Sequence, residues 1–145
     1  MSEVRRSALI ALPAETMFDV VSDVPSYPKF LPWCTDAKVL SESAEEVVAR
    51  LTIEKGGISQ SFTTRNVMER PGRIHLSLVD GPFSHFAGEW RFEALGDAGS
   101  KVSLELDFDF ESRMLNLAFG KVWAMVADRM VDAFCERAEA LRNGR

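Results

Sequence analysis

The sequence predicts an α+β fold in which a curved antiparallel sheet of about seven strands wraps around one long C-terminal helix. Two observations support this prediction. Up to about residue 111, apolar and polar residues alternate with a period of 2 in short segments that Gly and Pro residues separate. From about residue 113 the apolar residues recur with a period near 3.6, and this period continues to about residue 142.

The N-terminal part predicts a strand followed by a short helix. Residues 3–11 form the strand, and PAETMFDVVSD forms a helix that stops near Ser22. Pro13 suits the first turn of this helix, and Glu15 suits its positive N-terminus. The helix has an apolar stripe at spacings of three and four residues: Ala14, Met17, Phe18 and Val21.

The stretch VPSYPKFLPWC, residues 24–34, predicts a shaped connector. Its three prolines exclude both a long helix and a central strand. Tyr27, Phe30 and Trp33 are too apolar for a solvated loop, and burial of each would stabilise the fold by roughly 1.5 to 3 kcal/mol. We therefore expect the connector to plug or rim an apolar interior.

The segments after the connector predict the remaining strands, of which residues 101–111 show the clearest pattern. Val102, Leu104, Leu106, Phe108 and Phe110 alternate there with polar residues. The carboxylates of this segment lie on the outer face, which favours a solvated surface over an acid–base site. The other strand segments are residues 45–57, 58–70, 73–83 and 85–99, and the outer carboxylates are Glu105, Asp107, Asp109 and Glu111.

The C-terminal period predicts one helix over residues 113–142, which would span roughly 45 Å at 1.5 Å per residue. Such a helix is long enough to cross a small sheet. Its apolar stripe is Leu115, Phe119, Val122, Val126, Met130 and Ala133, and Met114, Leu117, Ala118, Trp123 and Phe134 broaden the apolar arc.

Length and charge restrict the possible functions. The 145 residues, 46% of them hydrophobic, predict one globular domain over residues 1–145. The net charge of −5 argues against binding to phosphate backbones, so we expect no DNA partner. Small basic groups do occur at Arg5 and Arg6, at Arg65, Arg70 and Arg73, and at Arg137, Arg142 and Arg145.

No segment approaches the roughly 18 consecutive apolar residues of a membrane span, and the N-terminus does not resemble a secretion signal. We therefore expect a cytoplasmic protein with no transmembrane segment and at most transient membrane contact.

Cys34 and Cys135 lack metal-site spacing and are interpreted as reduced, structural residues. With His75 and His85 as the two histidines, no metal site is expected.

The sequence lacks the common catalytic motifs, including GxSxG, the Walker A motif and HExxH. We therefore expect no enzymatic activity and no catalytic cofactor. Two polar residues remain as candidate contacts for a ligand or partner. His85 lies at a predicted hairpin, where an exposed tip and a pocket-mouth donor are both consistent with the sequence, and parity with Ile58 and Phe62 directs Arg65 outward.

Ten Phe, three Trp and one Tyr must share one domain. They either fill the core completely or leave a pocket between the curved sheet and the long helix for an apolar ligand. The candidate pocket residues are Tyr27, Phe30, Leu31, Trp33, Phe62, Leu76, Leu78, Phe83, Trp90, Leu106, Phe108, Leu115, Phe119, Val122 and Trp123.

Several motifs in order resemble the small START-like proteins of the coenzyme-Q-binding and RatA group. The resemblance covers nearly the whole chain. Its residues are Asp23, Tyr27, Pro28, Phe30, Leu31, Pro32, Trp33 and Cys34; Gly57, Ile58, Phe62, Thr64 and Arg65; Gly81, Pro82, Phe83, Gly88, Trp90 and Phe92; and the segments LAFGKVW and MVDAFCERA.

This resemblance implies a helix-grip fold with a hydrophobic tunnel between sheet and helix. In the quinone-binding branch the tunnel is thought to hold ubiquinone or a related isoprenoid lipid and to support respiration. In the RatA branch the protein is a toxin of a toxin–antitoxin pair that binds the large ribosomal subunit and blocks subunit association. The PWC motif resembles the first branch, whereas GISQSFTTRN, LVDGPF and LAFGKVW resemble the second.

The resulting expectation is non-enzymatic binding of ubiquinone or a related isoprenoid lipid, with ribosome association as the alternative. Under the first hypothesis the connector is the proline-stiffened lid of the tunnel. Replacement of Phe30 and Trp33 by Ala would then lower ligand retention more than folding stability.

Overall fold

The computed structural model describes residues 2–144, which form seven strands and three helices. Six of the strands follow one another between the short N-terminal helices and the long C-terminal helix, as predicted. A 3₁₀ turn, Val24–Ser26, follows the first helix. The elements are β1 (Ser2–Ile10), α1 (Ala14–Ser22), α2 (Tyr27–Phe30), β2 (Cys34–Glu42), β3 (Glu46–Lys55), β4 (Ile58–Glu69), β5 (Arg73–Asp80), β6 (Phe83–Leu95), β7 (Gly99–Phe110) and α3 (Arg113–Arg142).

The strands form one antiparallel sheet in the order β1-β7-β6-β5-β4-β3-β2. Strands β2 to β7 therefore pair with their sequence neighbours, and β1 adds to the free edge of β7. The sheet covers one side of α3, which confirms the predicted α+β fold class and the START-like helix-grip architecture.

Strand β7 shows why the period-2 pattern was informative. Leu104 and Phe108 are buried and lie opposite Trp90 and Phe86 of β6, while the intervening polar residues are half-buried. Cross-strand pairs of large apolar side chains build the inner face of the sheet. The segments predicted as strands did not include β2, because it is an edge strand whose residues are mostly exposed and so lack a clear alternation.

Helix α3 begins where Ser112 caps it: the Ser112 hydroxyl accepts a hydrogen bond from the backbone N–H of Leu115 at 3.1 Å. Its bounds match the prediction. The expectation that the apolar arc continues through the first turns is wrong, since Met114 and Leu117 are 78% and 79% exposed. Burial begins at Phe119, and the buried face is Phe119, Trp123, Val126, Ala127, Val131, Phe134 and Ala138.

Candidate functional site: an apolar cavity between sheet and helix

A cavity of about 60 Å³ lies between the inner face of the sheet and α3. Five consecutive strands, β3 to β7, contribute walls, and α3 and the connector complete them. Its most exposed lining residues are Leu51, Leu76 and Met130, which are half-buried. The full lining is Val24, Tyr27, Ala49, Leu51, Phe62, Thr64, Asn66, Leu76, Phe86, Trp90, Leu104, Leu106, Trp123, Met130 and Phe134.

Aromatic packing explains why the cavity is small. The ring of Trp123 lies 5.2 Å from that of Phe62 and 5.4 Å from that of Phe83, in edge-to-face geometry. Phe86 and Phe108 contact the same indole at 5.9 and 6.0 Å between ring centroids. These side chains fill most of the interior at one end, so both alternatives left open by the sequence hold in part: a dense aromatic core and a residual cavity beside it.

The connector packs on the C-terminal half of α3 rather than over the whole cavity. Its Tyr27 ring lies 5.1 Å from Phe134, and its hydroxyl donates to the backbone carbonyl of Val21. Burial raises the pKa of Tyr27 well above the usual range, so this hydroxyl stays protonated and donating. Phe30 lies between the ring of Phe134 at 5.4 Å and the guanidinium of Arg137 at 5.1 Å.

Phe30 and Trp33 lie outside the cavity. They line a separate surface groove of about 340 Å³. The connector therefore borders the cavity through Val24 and Tyr27, and the lid function of Phe30 and Trp33 remains a prediction. The rest of the groove is lined by Pro32, Arg129, Asp132, Ala133 and Glu136.

The predicted pocket residues separate into two groups by position. Those that line the cavity are Tyr27, Phe62, Leu76, Trp90, Leu106 and Trp123. Those that pack in the core without lining the cavity are Leu31, Leu78, Phe83, Phe108, Phe119 and Val122. Leu115 is half-buried and belongs to neither the cavity wall nor this core. Sequence reasoning missed Thr64 and Asn66, although their parity with Phe62 on β4 places all three side chains on the inner face.

The two polar candidate contacts lie on the outside. Arg65 is exposed, as its parity predicts, and its Nε donates to Glu46 Oε1 at 3.0 Å. His85 is exposed near the start of β6 and lies opposite Asp109 of β7 in the strand register. Neither residue lines the cavity.

Both cysteines are free thiols, and both are protonated at neutral pH. Burial raises the pKa of Cys34 to about 11. The pKa of Cys135 is also raised to about 11, first by burial and then by the nearby carboxylates of Asp132, Glu139 and Glu136.

Within residues 2–144 no three His, Cys, Asp or Glu side chains cluster as a metal site would require. In the same part of the chain, no helix combines the length and hydrophobicity that a membrane crossing requires.

A model of the family described as polyketide cyclase/dehydrase and lipid transport matches residues 10–135. The chain belongs to this family. A START superfamily protein of Mycobacterium smegmatis superposes on it with a TM-score of 0.76, 23% identity, and coverage of 96% of this chain and 98% of that one. An aromatase/cyclase of Streptomyces sp. R1128, also a structural neighbour, gives a TM-score of 0.80 at 23% identity, with coverage of 96% and 94%. These likenesses support the START-like fold of the family.

The relatives of this chain include toxins and a coenzyme Q-binding protein. The ribosome association toxin RatA of Pseudomonas aeruginosa is 44% identical over 140 residues, which cover 97% of each chain. The mitochondrial coenzyme Q-binding protein COQ10 of Drosophila melanogaster is 25% identical over 135 residues, which cover 90% of this chain and 56% of that protein. The predicted resemblance to the coenzyme-Q-binding and RatA group is thus confirmed.

Proposed function

We propose that this protein associates with the bacterial ribosome in the cytoplasm, by binding the large subunit and opposing subunit association. The observation that carries the proposal is the 44% identity to a ribosome association toxin along 97% of both chains. The proposed role needs no catalytic group and no cofactor. The whole chain would act as one unit.

The size of the cavity supports the same order of preference. Pockets that enclose a drug-sized ligand measure about 300 to 1,000 Å³. The cavity between sheet and helix measures about 60 Å³. A prenylated quinone would require the aromatic interior to open widely, whereas ribosome binding uses the outer surface as it stands.

The first turns of α3 provide the surface that best fits such a partner. Met114 and Leu117 are the two most exposed large apolar side chains among the described residues. Arg113 and Lys121 are exposed beside them, and neither forms an ion pair within residues 2–144. We call these four residues the α3 patch. Two unpaired cations around two apolar side chains suit a ribonucleoprotein surface, where phosphates and protein side chains lie side by side.

Arginines from the first two basic groups noted in the sequence fit this role less well. Arg6 pairs with Asp128, Arg70 with Asp19 at 2.7 Å, and Arg65 with Glu46 at 3.0 Å. These cations are already partly neutralised by their neighbours. Arg145 lies outside the described residues.

Sedimentation tests the proposal. Purified protein is mixed with large subunits and with intact ribosomes, and each mixture is centrifuged through a sucrose gradient. We expect the wild type to travel with the large subunit and to increase the proportion of free subunits. Charge reversal of the α3 patch (Arg113→Glu with Lys121→Glu) should weaken binding at least roughly tenfold, because two favourable contacts with phosphate become repulsive.

A matched variant separates a specific surface from a general charge effect. Lys38→Glu with Arg50→Glu changes the net charge by the same amount on exposed residues of the paired strands β2 and β3. It should sediment with the subunit like the wild type. Equal weakening by both double variants would refute the α3 patch, and a wild type that stays at the top of the gradient would refute ribosome association.

Apolar-ligand binding is the second candidate function, with ubiquinone or a related isoprenoid lipid as the ligand. The specific observation in its favour is a partly open cavity with mostly apolar and aromatic walls in a chain related to a coenzyme Q-binding protein. Native purification, solvent extraction and mass spectrometry test it. A near-stoichiometric prenylated quinone would support the function, and protein free of lipid would count against it.

A further inference from the structure

Charge is distributed unevenly along helix α3. Its first half, residues 113–127, contains Arg113 and Lys121 and no Asp or Glu. The following residues, 128–139, contain four carboxylates against two arginines, so the charge of the helix changes sign along its length. The carboxylates are Asp128, Asp132, Glu136 and Glu139, and the arginines are Arg129 and Arg137.

The charges of both signs share the face of α3 that points away from the sheet. At roughly 100° per residue, Lys121, Asp132 and Glu139 lie within about 20° of Met114 around the helix axis. The buried Trp123 lies about 180° from Met114 on the same scale, against the sheet. All of these charged side chains are exposed. One solvent-facing stripe therefore carries cations at its start and carboxylates toward its end.

Most of the charges on this stripe have no partner in their own chain. Asp128 is the exception, since it pairs with Arg6. The charged residues of the stripe that form no ion pair within residues 2–144 are Arg113, Lys121, Asp132, Glu136 and Glu139.

A second copy of α3 complements this stripe when it runs antiparallel. In a parallel pair each cation would face its own counterpart, and like charges would repel. In an antiparallel pair with a two-fold axis near Met125, Lys121 of one copy lies between Asp128 and Asp132 of the other. The two-fold axis repeats this contact, so the surface is complementary to itself.

The same register also matches the ends of the stripe. Arg113 of one copy lies opposite Glu136 and Glu139 of the other, one helical turn apart. Arg129, the exposed cation of the acidic part, lies about 60° from Met114 and lines the groove of Phe30 to the side of the contact. One arrangement therefore pairs both unpaired cations with carboxylates.

We propose that two copies of this protein associate through antiparallel α3 helices and thereby cover the α3 patch of each copy. Met114 and Leu117, 78% and 79% exposed in the single chain, would then lose contact with water. The stripe is about 40 Å long and about 10 Å wide, so each copy buries roughly 400 Å², an area that suits a weak and reversible dimer. A dimer of this kind would compete with the large subunit for the patch, a consequence that rests on the proposed function.

Charge exchange tests the contact, with sedimentation velocity as the measure of dimer up to about 0.5 mM protein. Lys121→Glu places a carboxylate opposite carboxylates, and Asp132→Lys places an ammonium opposite an ammonium. Each variant alone should self-associate at least about tenfold more weakly than the wild type, because the two-fold axis makes each change act twice. A mixture of the two variants should restore the dimer, since both contacts of the mixed pair again join opposite charges.

Two matched variants separate the stripe from the effect of net charge. Lys38→Glu and Glu42→Lys make the same changes of charge on exposed residues of β2, and each should dimerise like the wild type. Equal weakening by these variants would overturn the proposal. A wild type that stays monomeric at about 0.5 mM would also overturn it, as would a mixture of the α3 variants that associates no better than either alone.

Ribosome sedimentation distinguishes the dimer from its consequence. Asp132→Lys leaves the four residues of the α3 patch intact, so at concentrations where the wild type is dimeric it should bind large subunits more tightly than the wild type and than Glu42→Lys. If all three bind equally, the dimer stands and the covering of a ribosome-binding patch is wrong. If none of them binds, the proposed function fails while the dimer, measured without ribosomes, stands.

Discussion

Filling the cavity is the most direct test of the interior described above. Ala49 of β3 lines the cavity and is 2% exposed. Ala49→Val adds two buried carbon atoms, each worth about 0.8 kcal/mol, so the free energy of unfolding should rise by about 1.5 kcal/mol. The cavity has room for these atoms, because its volume of about 60 Å³ is what roughly two water molecules occupy in liquid water. Valine also suits a strand better than alanine.

Urea unfolding measures the change. With a slope of about 1 to 3 kcal/mol per molar urea, the midpoint should rise by roughly 0.5 to 1.5 M. Val102→Ile is the control, because Val102 is 0% exposed and does not line the cavity. Overpacking at that site should cost about 1 to 3 kcal/mol. A loss of more than about 1 kcal/mol for Ala49→Val would refute the cavity and, with it, the proposed ligand site.

Further substitutions test the packing and the thiols. Phe134→Ala should cost about 3 to 5 kcal/mol in urea unfolding, since Phe134 is 0% exposed and contacts Tyr27 and Trp90; a cost below about 1.5 kcal/mol would contradict that packing. Gly88→Ala should lower the thermal midpoint, because the new Cβ would lie 2.3 Å from Leu106 Cδ2; an unchanged midpoint would argue against this close approach. In a Cys34→Ala background, the rate at which iodoacetamide alkylates Cys135 should still rise about tenfold per pH unit between pH 8 and 10, because the pKa of this thiol is about 11. A rate that levels off near pH 9 would exclude the raised pKa.

The thiols also imply a pH dependence of stability. Burial raises the pKa of both cysteines to about 11 in the folded protein, so between about pH 9 and 11 the folded state holds protons that the unfolded state releases. The contribution is fully present below pH 9 and is lost as the pH rises toward 11. Replacement of both cysteines by alanine should flatten the fall in urea stability over this interval, and an equally steep fall would assign it to other groups.

The sequence by itself determined most of the secondary structure and its order, although it missed strand β2. Strand β7 and helix α3 were predicted nearly to the residue, because each has one solvent-exposed face and one buried face. The local periodicity of apolar residues indicates which face is buried. The same reasoning extended the apolar arc of α3 too far, to Met114 and Leu117. A helical period shows which side chains share a face, and it does not show where the neighbouring sheet ends.

Tertiary structure alone decided which residues surround the cavity and how large it is. Phe62, Phe83 and Phe108 look equivalent in the sequence, yet Phe62 borders open space while the other two fill the core around Trp123. The distinction depends on how side chains from distant strands share a fixed volume, which no local pattern contains. For the same reason Thr64 and Asn66 read as interruptions of a strand pattern, and only the tertiary structure places them on the cavity wall that also includes Trp123.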